Sequence, residues 1–378
     1  MAQLLAPLSW STLRDHWGLT HVHAPGDRAR LGGLATWRDL EVALETQRVA
    51  PSRLLVGYHR GVSVVDAVVD PRGHATTALN APELRRHLRE RRALVVFEAD
   101  AMLPRVAALA DGLARDLGLA IESQLFVSAG DGESFGTHRD DCDHIIVQLE
   151  GRKRWRLFGA RAGDAAPTEA CAEIVLAPGD VLYVPRDHWH EVRDLGEPSL
   201  HLTCVIATPT GRDLVSWLAA ELRDTPELRA PLPRFANADA RGAHARQLRD
   251  RLRDAWTDDL LDRYLASSAA MIRPRPRVAI ADEARADGLP DGDAFVIASN
   301  VPAVRDVRIE GDEAVFAAAQ REWRLDAALA PVLRRLLVLG PWSMRDLVAA
   351  GDAAPEDLRA LVAELVAAGL LFVMRELR

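Results

Sequence analysis

The strongest constraint on the fold is a series of short β-rich runs between residues 121 and 208. The runs cover residues 124–128, 144–149, 154–158, 181–184 and 200–206. Gly-Asp, Pro-Gly-Asp and Gly-Glu-Pro sequences lie between them, and these residue types favour turns because they tolerate the backbone angles that a chain reversal needs. Many short strands at such spacing are typical of an antiparallel barrel or jelly roll, so we expect this segment to form the core.

Helical patterns flank the β-rich segment. Residues 104–119 place apolar side chains at spacings of three and four, which predicts an amphipathic helix ahead of the core. Helical spacing returns from 211 to about 268, with five apolar residues in steps of four: Leu248, Leu252, Trp256, Leu260 and Tyr264. Such a stripe packs against a neighbouring helix or against a second copy of the chain. We therefore expect a homodimer that forms through this segment.

An Arg-Pro-Arg-Pro-Arg run at 273–277 breaks any helix and predicts a domain boundary. Beyond it, a hairpin-like segment at 310–312 precedes three short helical stretches and an apolar extended run at 370–373. Three helices followed by a strand indicate a winged-helix-like module. We expect an α+β protein with three parts: a jelly-roll domain with an N-terminal cap at 1–210, a helical dimerisation segment at 211–272, and a linker with the winged-helix-like domain at 273–378.

Composition narrows the classes of partner. The 378-residue chain has a formal net charge of −8, whereas a dedicated nucleic-acid binder needs a clustered positive surface. Its three cysteines, Cys142, Cys171 and Cys204, lack the paired spacings of a zinc site or a disulfide framework. The N-terminus has no signal-peptide pattern, and no apolar run approaches the roughly 18 residues of a membrane helix. We therefore expect a cytoplasmic protein that binds neither nucleic acid nor membranes.

Lysine is almost absent from the chain. Among the 47 Lys and Arg residues, Lys153 is the one lysine. Arginine is a broad planar fork, whereas lysine is a slim point charge on a flexible stem. A narrow pocket that binds a single carboxylate can require lysine for this reason, and Lys153 is the candidate for such a position.

Two potential metal ligands precede this lysine. His138 and Asp140 form a His-x-Asp pair, and alternate side chains of an extended strand project from the same face. An apolar strand at 181–184 then leads through a Pro-containing bend to His188 and His190. Two histidines and one carboxylate with open coordination positions form the facial triad of non-haem iron(II) oxygenases. Local geometry does not separate His188 from His190 as third ligand, because both lie on one face of a strand.

The residues around these positions resemble a known family. The motifs are Phe-Gly-Thr-His-Arg-Asp at 135–140, Val-Gln-Leu-Glu-Gly-Arg-Lys-Arg-Trp-Arg at 147–156, Pro-Gly-Asp at 178–180 ahead of the second histidine turn, and Ser-Leu-His-Leu-Thr at 199–203. In this order and spacing they are similar to the Jumonji-C, cupin-like 2-oxoglutarate oxygenases, and in particular to the ribosomal oxygenase branch, which hydroxylates ribosomal-protein side chains. The helical segment and the winged-helix-like end extend the likeness over most of the chain.

The resemblance implies a double-stranded β-helix that holds Fe(II) through three ligands: His138, Asp140 and His190. It also implies that Lys153 pairs with the distal carboxylate of the cosubstrate 2-oxoglutarate, while the keto acid end chelates the iron. His201 and Thr203 are implied as further cosubstrate contacts. The implied activity is hydroxylation of a side chain of a protein or peptide, with ribosomal proteins among the candidates.

Some residues depart from the family pattern. Arg139 stands where an aromatic residue is common, Thr137 where proline is common, and residues 187–189 where a glycine-containing bend is usual. These departures leave the metal chemistry intact and bear on the identity of the substrate. Three other functions fit the sequence: the same iron chemistry on a small molecule or natural-product peptide, a non-catalytic cupin with a winged helix that responds to a ligand, and a cupin with a different metal, such as an isomerase.

Overall fold

The β-rich segment folds into two antiparallel sheets that enclose an apolar interior. The computed structural model describes residues 5–374, apart from 7, 58–60, 130–134, 161–162, 164, 303, 305–306 and 339, and for 338 the backbone only. These residues fall into two compact units, one that ends at Thr208 and one that spans Pro209–Met374.

The first unit contains both sheets. Its strands are β1 (Val22–Ala24), β2 (Leu54–Val56), β3 (Val62–Ser63), β4 (Val65–Val69), β5 (Ala75–Leu79), β6 (Leu94–Phe97), β7 (Ile121–Ala129), β8 (Asp143–Glu150), β9 (Lys153–Ala160), β10 (Ala172–Leu176), β11 (Val181–Val184), β12 (His188–Asp194) and β13 (Pro198–Ile206). The larger sheet has the order β1-β11-β8-β13-β7-β6-β2-β3, the smaller has the order β10-β9-β12, and β4 pairs with β5. Adjacent strands run antiparallel. The predicted jelly-roll core is confirmed.

Helices cover the outer face of the larger sheet. They are α1 (Trp10–His16), α2 (Arg28–Leu31), α3 (Trp37–Thr46), α4 (Ala81–Arg89) and α5 (Pro104–Leu117). The predicted helix at 104–119 corresponds to α5, which begins with Pro104, a residue suited to the first turn, and ends at Gly118 in the left-handed region. Its Leu109 and Leu113 belong to the same buried cluster as Ile145 and Val147 of β8, so alternate residues of the sheet pack against this helix layer.

The inner faces of the two sheets meet in a smaller apolar cluster. Ile146, Leu182 and Val184 of the larger sheet pack with Trp155, Leu157 and Leu176 of the smaller one. Burying a side chain of this size stabilises the fold by roughly 2 kcal/mol. Strand alternation therefore determines which polar side chains also point into this interior: those at positions two apart from the buried apolar residues.

The second unit combines helices with two three-stranded sheets. Its helices are α6 (Gly211–Glu221), α7 (Pro226–Arg229), α8 (Ala238–Ala255), α9 (Leu260–Ala270), α10 (Ile280–Glu283), α11 (Ala330–Val338), α12 (Met344–Ala349) and α13 (Pro355–Ala367). Its strands are β14 (Val296–Ser299), β15 (Arg308–Glu310), β16 (Glu313–Ala318), β17 (Arg321–Asp326), β18 (Trp342–Ser343) and β19 (Leu371–Val373). They form one sheet in the order β15-β16-β17 and another in the order β18-β14-β19. Both sheets share a core with α11, α12 and α13.

The apolar stripe in this unit does not lie on one continuous helix. Trp256 ends α8, and the chain turns before Leu260 starts α9. As a result Leu260 and Tyr264 are buried, while Leu252 and Trp256 remain 40% and 55% exposed. Among the helices of the described residues, none combines the length and the hydropathy that a membrane-spanning segment needs.

Candidate metal centre

Backbone hydrogen bonds hold the His-x-Asp segment against β12. His138 and His190 exchange both of their backbone bonds, with N···O distances of 2.9 and 2.8 Å. The N–H of Asp187 also donates to the carbonyl of Asp140 at 2.9 Å. The His-x-Asp pair is thus held next to His190, which lies 50 residues further along the chain.

The side chains of His138, Asp140 and His190 converge on one point. Each contributes one potential ligand atom, and these atoms lie within 4.8 Å of one another. Oδ2 of Asp140 is 3.8 Å from Nε2 of His138 and 3.4 Å from Nε2 of His190. The structure therefore brings together the three residues predicted as metal ligands.

Hydrogen bonds to the other ring nitrogens favour a metal-binding tautomer. Nδ1 of His138 lies 3.0 Å from the carbonyl of Gly136, and Nδ1 of His190 lies 3.0 Å from the carbonyl of His188. A carbonyl can only accept, so each Nδ1 carries the proton and each Nε2 keeps a free lone pair. Burial, with a smaller effect of neighbouring His138, also lowers the pKa of His190 and keeps this imidazole neutral.

The structure distinguishes the two histidines of β12. His190 pairs through its backbone with His138, whereas His188 pairs with Ala160 of β9. Burial lowers the pKa of His188, and smaller effects come from His21, Asp143 and Asp187. His190 is the one that joins the cluster.

Lys153 is buried at the start of β9. It is 1% exposed, and its Nζ lies 3.7 Å from Oδ1 of Asp194 on β12. Burial lowers its pKa from 10.5 to about 8, although Asp194 opposes the shift. The side chain points to the interior because Lys153, Trp155 and Leu157 alternate on one face of the strand and the latter two belong to the inner cluster.

His201 and Thr203 lie on the interior face of β13. Thr203 pairs directly with Ile146, a residue of the inner cluster, and His201 stacks on Phe126 with ring centres 4.8 Å apart. Burial keeps the pKa of His201 well below its usual value, and the charge of Lys153 lowers it further. His201 is therefore a neutral side chain close to the ammonium.

Polar atoms in this interior are available to a ligand. Among the described residues, buried Nδ1 of His201 and Nε1 of Trp155 have no hydrogen-bond partner. The ring of Trp155 contacts both histidines, with centres 5.8 Å from His190 and 6.0 Å from His201. Because buried polar groups are nearly always paired, these atoms indicate a site that takes a polar ligand. Together with the ammonium of Lys153, this donor set fits a ligand that carries a carboxylate.

Two neighbours of the site were not predicted from the sequence. Nδ1 of His144 is 3.5 Å from Oδ2 of Asp140, and Trp155 lies between the histidines described above. Alternation along β8 and β9 would have indicated both, since His144 is two residues before inward-facing Ile146 and Trp155 two after Lys153.

The guanidinium of Arg139 lies over a neighbouring aromatic ring. Its central carbon is 5.2 Å from the ring centre of Trp189, a distance at which a cation is attracted to the electron-rich face of the ring. An arginine at the position where the family often has an aromatic residue thus supports the strand pair that carries the metal ligands.

Comparisons with known proteins found similar sequences. Residues 101–214 match the model of the JmjC domain. The chain is 25% identical over 276 residues to the bifunctional lysine-specific demethylase and histidyl-hydroxylase NO66 of Drosophila persimilis, covering 66% of this chain and 39% of that protein. It is 29% identical over 204 residues to human ribosomal oxygenase 1, covering 47% and 30%. The chain thus spans less than half the length of these curated relatives.

The fold is similar to that of a solved bacterial protein. The ribosomal oxygenase YcfD of Escherichia coli, solved in complex with cobalt and 2-oxoglutarate, superposes with a TM-score of 0.60 at 22% sequence identity. The match covers 97% of this chain and 99% of YcfD. The similarity of fold therefore extends beyond the residues matched by the domain model.

Proposed function

We propose that this chain, a JmjC protein of the ribosomal oxygenase branch, is an Fe(II)- and 2-oxoglutarate-dependent hydroxylase of a protein or peptide side chain. One observation carries the proposal: His138, Asp140 and His190 converge in an interior that also contains a buried lysine. The names of NO66 and of the ribosomal oxygenases support a protein substrate, and ribosomal proteins are the first candidates to test.

Separate groups of residues would bind the metal and the cosubstrate. The Nε2 atoms of His138 and His190 and the carboxylate of Asp140 would hold Fe(II) on one face and leave the other coordination positions open. Lys153 would pair with the distal carboxylate of 2-oxoglutarate, with His201 beside it as a neutral hydrogen-bonding group. Bound iron and 2-oxoglutarate would together supply the chemistry of the reaction with dioxygen: 2-oxoglutarate is converted to succinate and carbon dioxide, and a C–H bond of the substrate is hydroxylated.

The protein's own part is binding, orientation and exclusion of water. Trp155, Leu157 and Ile146 surround the polar groups with apolar surface, which strengthens the ion pair to Lys153 by lowering the local dielectric constant. Thr203 would line the same wall beside the cosubstrate. The backbone pairing of His138 with His190 fixes the ligand spacing without the metal.

The first test is anaerobic addition of Fe(II) and 2-oxoglutarate. We expect a weak visible charge-transfer band, which arises when the keto acid chelates ferrous iron. The matched variants are His190→Ala, which should lose the band, and His188→Ala, which should keep it. A band that survives His190→Ala would exclude His190 as a ligand, and no band in the wild-type protein would refute the proposed function.

The second test concerns the substrate class. Succinate formation should rise with ribosomal-protein peptides and not with free amino acids. Stimulation by a small molecule alone would favour the alternative substrate, and consumption of no 2-oxoglutarate with iron present would favour a cupin with different chemistry.

We also propose that residues 211–272 form a homodimer interface. Exposed apolar side chains in this segment support it: Leu252, Trp256, Leu261 and Leu265 are 40%, 55%, 56% and 44% exposed. Trp256→Asp should convert a dimer to a monomer in light scattering, whereas the same change at exposed Ile280, outside the segment, should not. A dimer that persists in Trp256→Asp, or a monomeric wild-type protein, would contradict this.

We infer that residues 273–378 contain a winged-helix-like module, supported by the shared core of α11, α12 and α13 with the sheet β18-β14-β19. Balanced charge at this end of the chain favours a protein-contact or stabilising role over DNA binding. Three free cysteines support a reducing, cytoplasmic location.

A further inference from the structure

Asp194 shares the interior face of β12 with the metal-binding position. After the register shift, His190 pairs with Leu157, Val192 with Trp155 and Asp194 with Lys153 across to β9. Positions two apart on a strand lie on one face, so Asp194 follows His190 and Val192 into the interior. Its side chain is 9% exposed, although aspartate usually lies at the surface.

Lys153 faces residues of three strands: β10, β12 and β13. On β12 it faces Asp194, with Nζ and Oδ1 3.7 Å apart. On β13 the titratable group is His201, which burial keeps neutral, and on β10 the directly paired residue is apolar Leu176. Asp194 is thus the anionic group whose charge acts on Lys153.

A buried ammonium needs a counter-ion. Without one, a lysine in an apolar interior loses its proton, because desolvation disfavours the charged form. An ammonium also has three donors, so one carboxylate on the protein leaves donors for a second carboxylate on a ligand. Asp194 and a dicarboxylate can therefore share Lys153.

We propose, building on the proposed function, that Asp194 is a positioning residue for the cosubstrate: it holds Lys153 in place as an ammonium whose remaining donors bind the distal carboxylate of 2-oxoglutarate. Asp194 acts through Lys153 and need not touch the cosubstrate. The sequence signal is its distance of four residues from His190, which places both on the same face of β12.

The test uses the fact that Lys153 is the one lysine in the chain. Lysine labelled with carbon-13 at Cε gives a single side-chain signal, so a pH titration by NMR reports the pKa of Lys153 directly. Asp194→Asn should lower this pKa, because it keeps the size of the side chain and removes the charge. The matched control is Glu173→Gln, which removes a carboxylate from the outer, exposed ion pair with Arg154 and should leave the pKa unchanged.

Cosubstrate affinity supplies the second readout. In Mn(II)-loaded protein without dioxygen, calorimetry at about pH 7.5 should show 2-oxoglutarate binding about tenfold weaker in Asp194→Asn. Most of this loss should disappear near pH 6, where Lys153 regains its proton, and Asp194→Glu should retain most of the affinity. The keto monocarboxylate 2-oxobutyrate, which lacks the distal carboxylate, should bind equally to all variants. If Asp194→Asn does not fold, Asp194→Ser serves in its place.

The outcomes separate the two proposals. If the wild-type protein binds 2-oxoglutarate and the asparagine variant binds it equally well with an unchanged lysine pKa, the role of Asp194 is refuted and the proposed function stands. Tighter binding in the variant would also refute it, since Asp194 would then compete for Lys153. If the wild-type protein binds no 2-oxoglutarate, both proposals are overturned.

Discussion

Raising the pH should change the stability of the protein and its affinity for 2-oxoglutarate in opposite directions. Both effects come from Lys153, whose pKa burial lowers from 10.5 to about 8. This shift corresponds to a burial cost of roughly 3 kcal/mol for the charged form. Between these two pH values the unfolded chain keeps the lysine proton and the folded chain releases it, so the unfolded state binds more protons and stability rises with pH.

The affinity for 2-oxoglutarate should fall as the pH rises. The distal carboxylate needs the ammonium, and above about pH 8 the charged fraction of Lys153 falls by about tenfold for each pH unit. The affinity for 2-oxoglutarate should decline at that rate until the pKa of the complex is reached. Below about pH 7 the ammonium is nearly fully charged and this dependence should vanish.

The assay compares the wild-type protein with Lys153→Met, which replaces the ammonium by an apolar side chain of similar length. The difference between their free energies of unfolding, from urea titrations at several pH values, should change in favour of the wild-type protein by roughly 3 kcal/mol from about pH 8 to 10.5. Calorimetry with Mn(II)-loaded protein should show the loss of 2-oxoglutarate affinity in parallel. Comparison with 2-oxobutyrate corrects for effects of pH that do not involve the distal carboxylate.

A constant stability difference across this range, or a lysine signal that titrates near 10.5, would refute the buried position of Lys153. Affinity for 2-oxoglutarate that follows 2-oxobutyrate at every pH would instead show that the ammonium does not bind the distal carboxylate. The two results therefore test the fold around Lys153 and its chemical role separately.

Two further substitutions test the metal centre and the turn that precedes Lys153. His190→Ala should weaken binding of Mn(II) or Zn(II) by more than about 100-fold in calorimetry, because a direct ligand matters at least as much as the groups that orient it; His188→Ala should bind either metal like the wild-type protein, and the reverse order would show that the wrong histidine was assigned. Gly151→Ala should lower the free energy of unfolding by more than about 2 kcal/mol, because a Cβ there would lie 2.2 Å from a backbone oxygen and φ is +62°. Gly73→Ala, also at positive φ but with open space around it, should cost only about 1 kcal/mol in urea titrations of the same kind, and equal losses at both glycines would contradict the close contact at Gly151.

Local patterns were sufficient for much of the core. Alternating apolar residues and turn sequences identified the strands that became β7, β8, β9, β11 and β13, because strand period and turn chemistry are properties of neighbouring residues. The same patterns marked α5, the helical region at 211–268, and α11, α12, α13 and β19. The strands β1 to β6 and β10 were not identified, since each is two to five residues long and is stabilised by pairing with its neighbours.

The kind of site could be predicted from residue types. Which residues form the site depended on contacts between distant parts of the chain. A His-x-Asp pair, a second histidine turn and the one lysine already indicated a metal site with a carboxylate pocket. The choice of His190 over His188 required the backbone pairing of His190 with His138, and the pairing of Asp194 with Lys153 required β12 and β9 to lie side by side. Strand alternation is encoded every two residues along the chain, but strand register is fixed by packing between segments tens of residues apart.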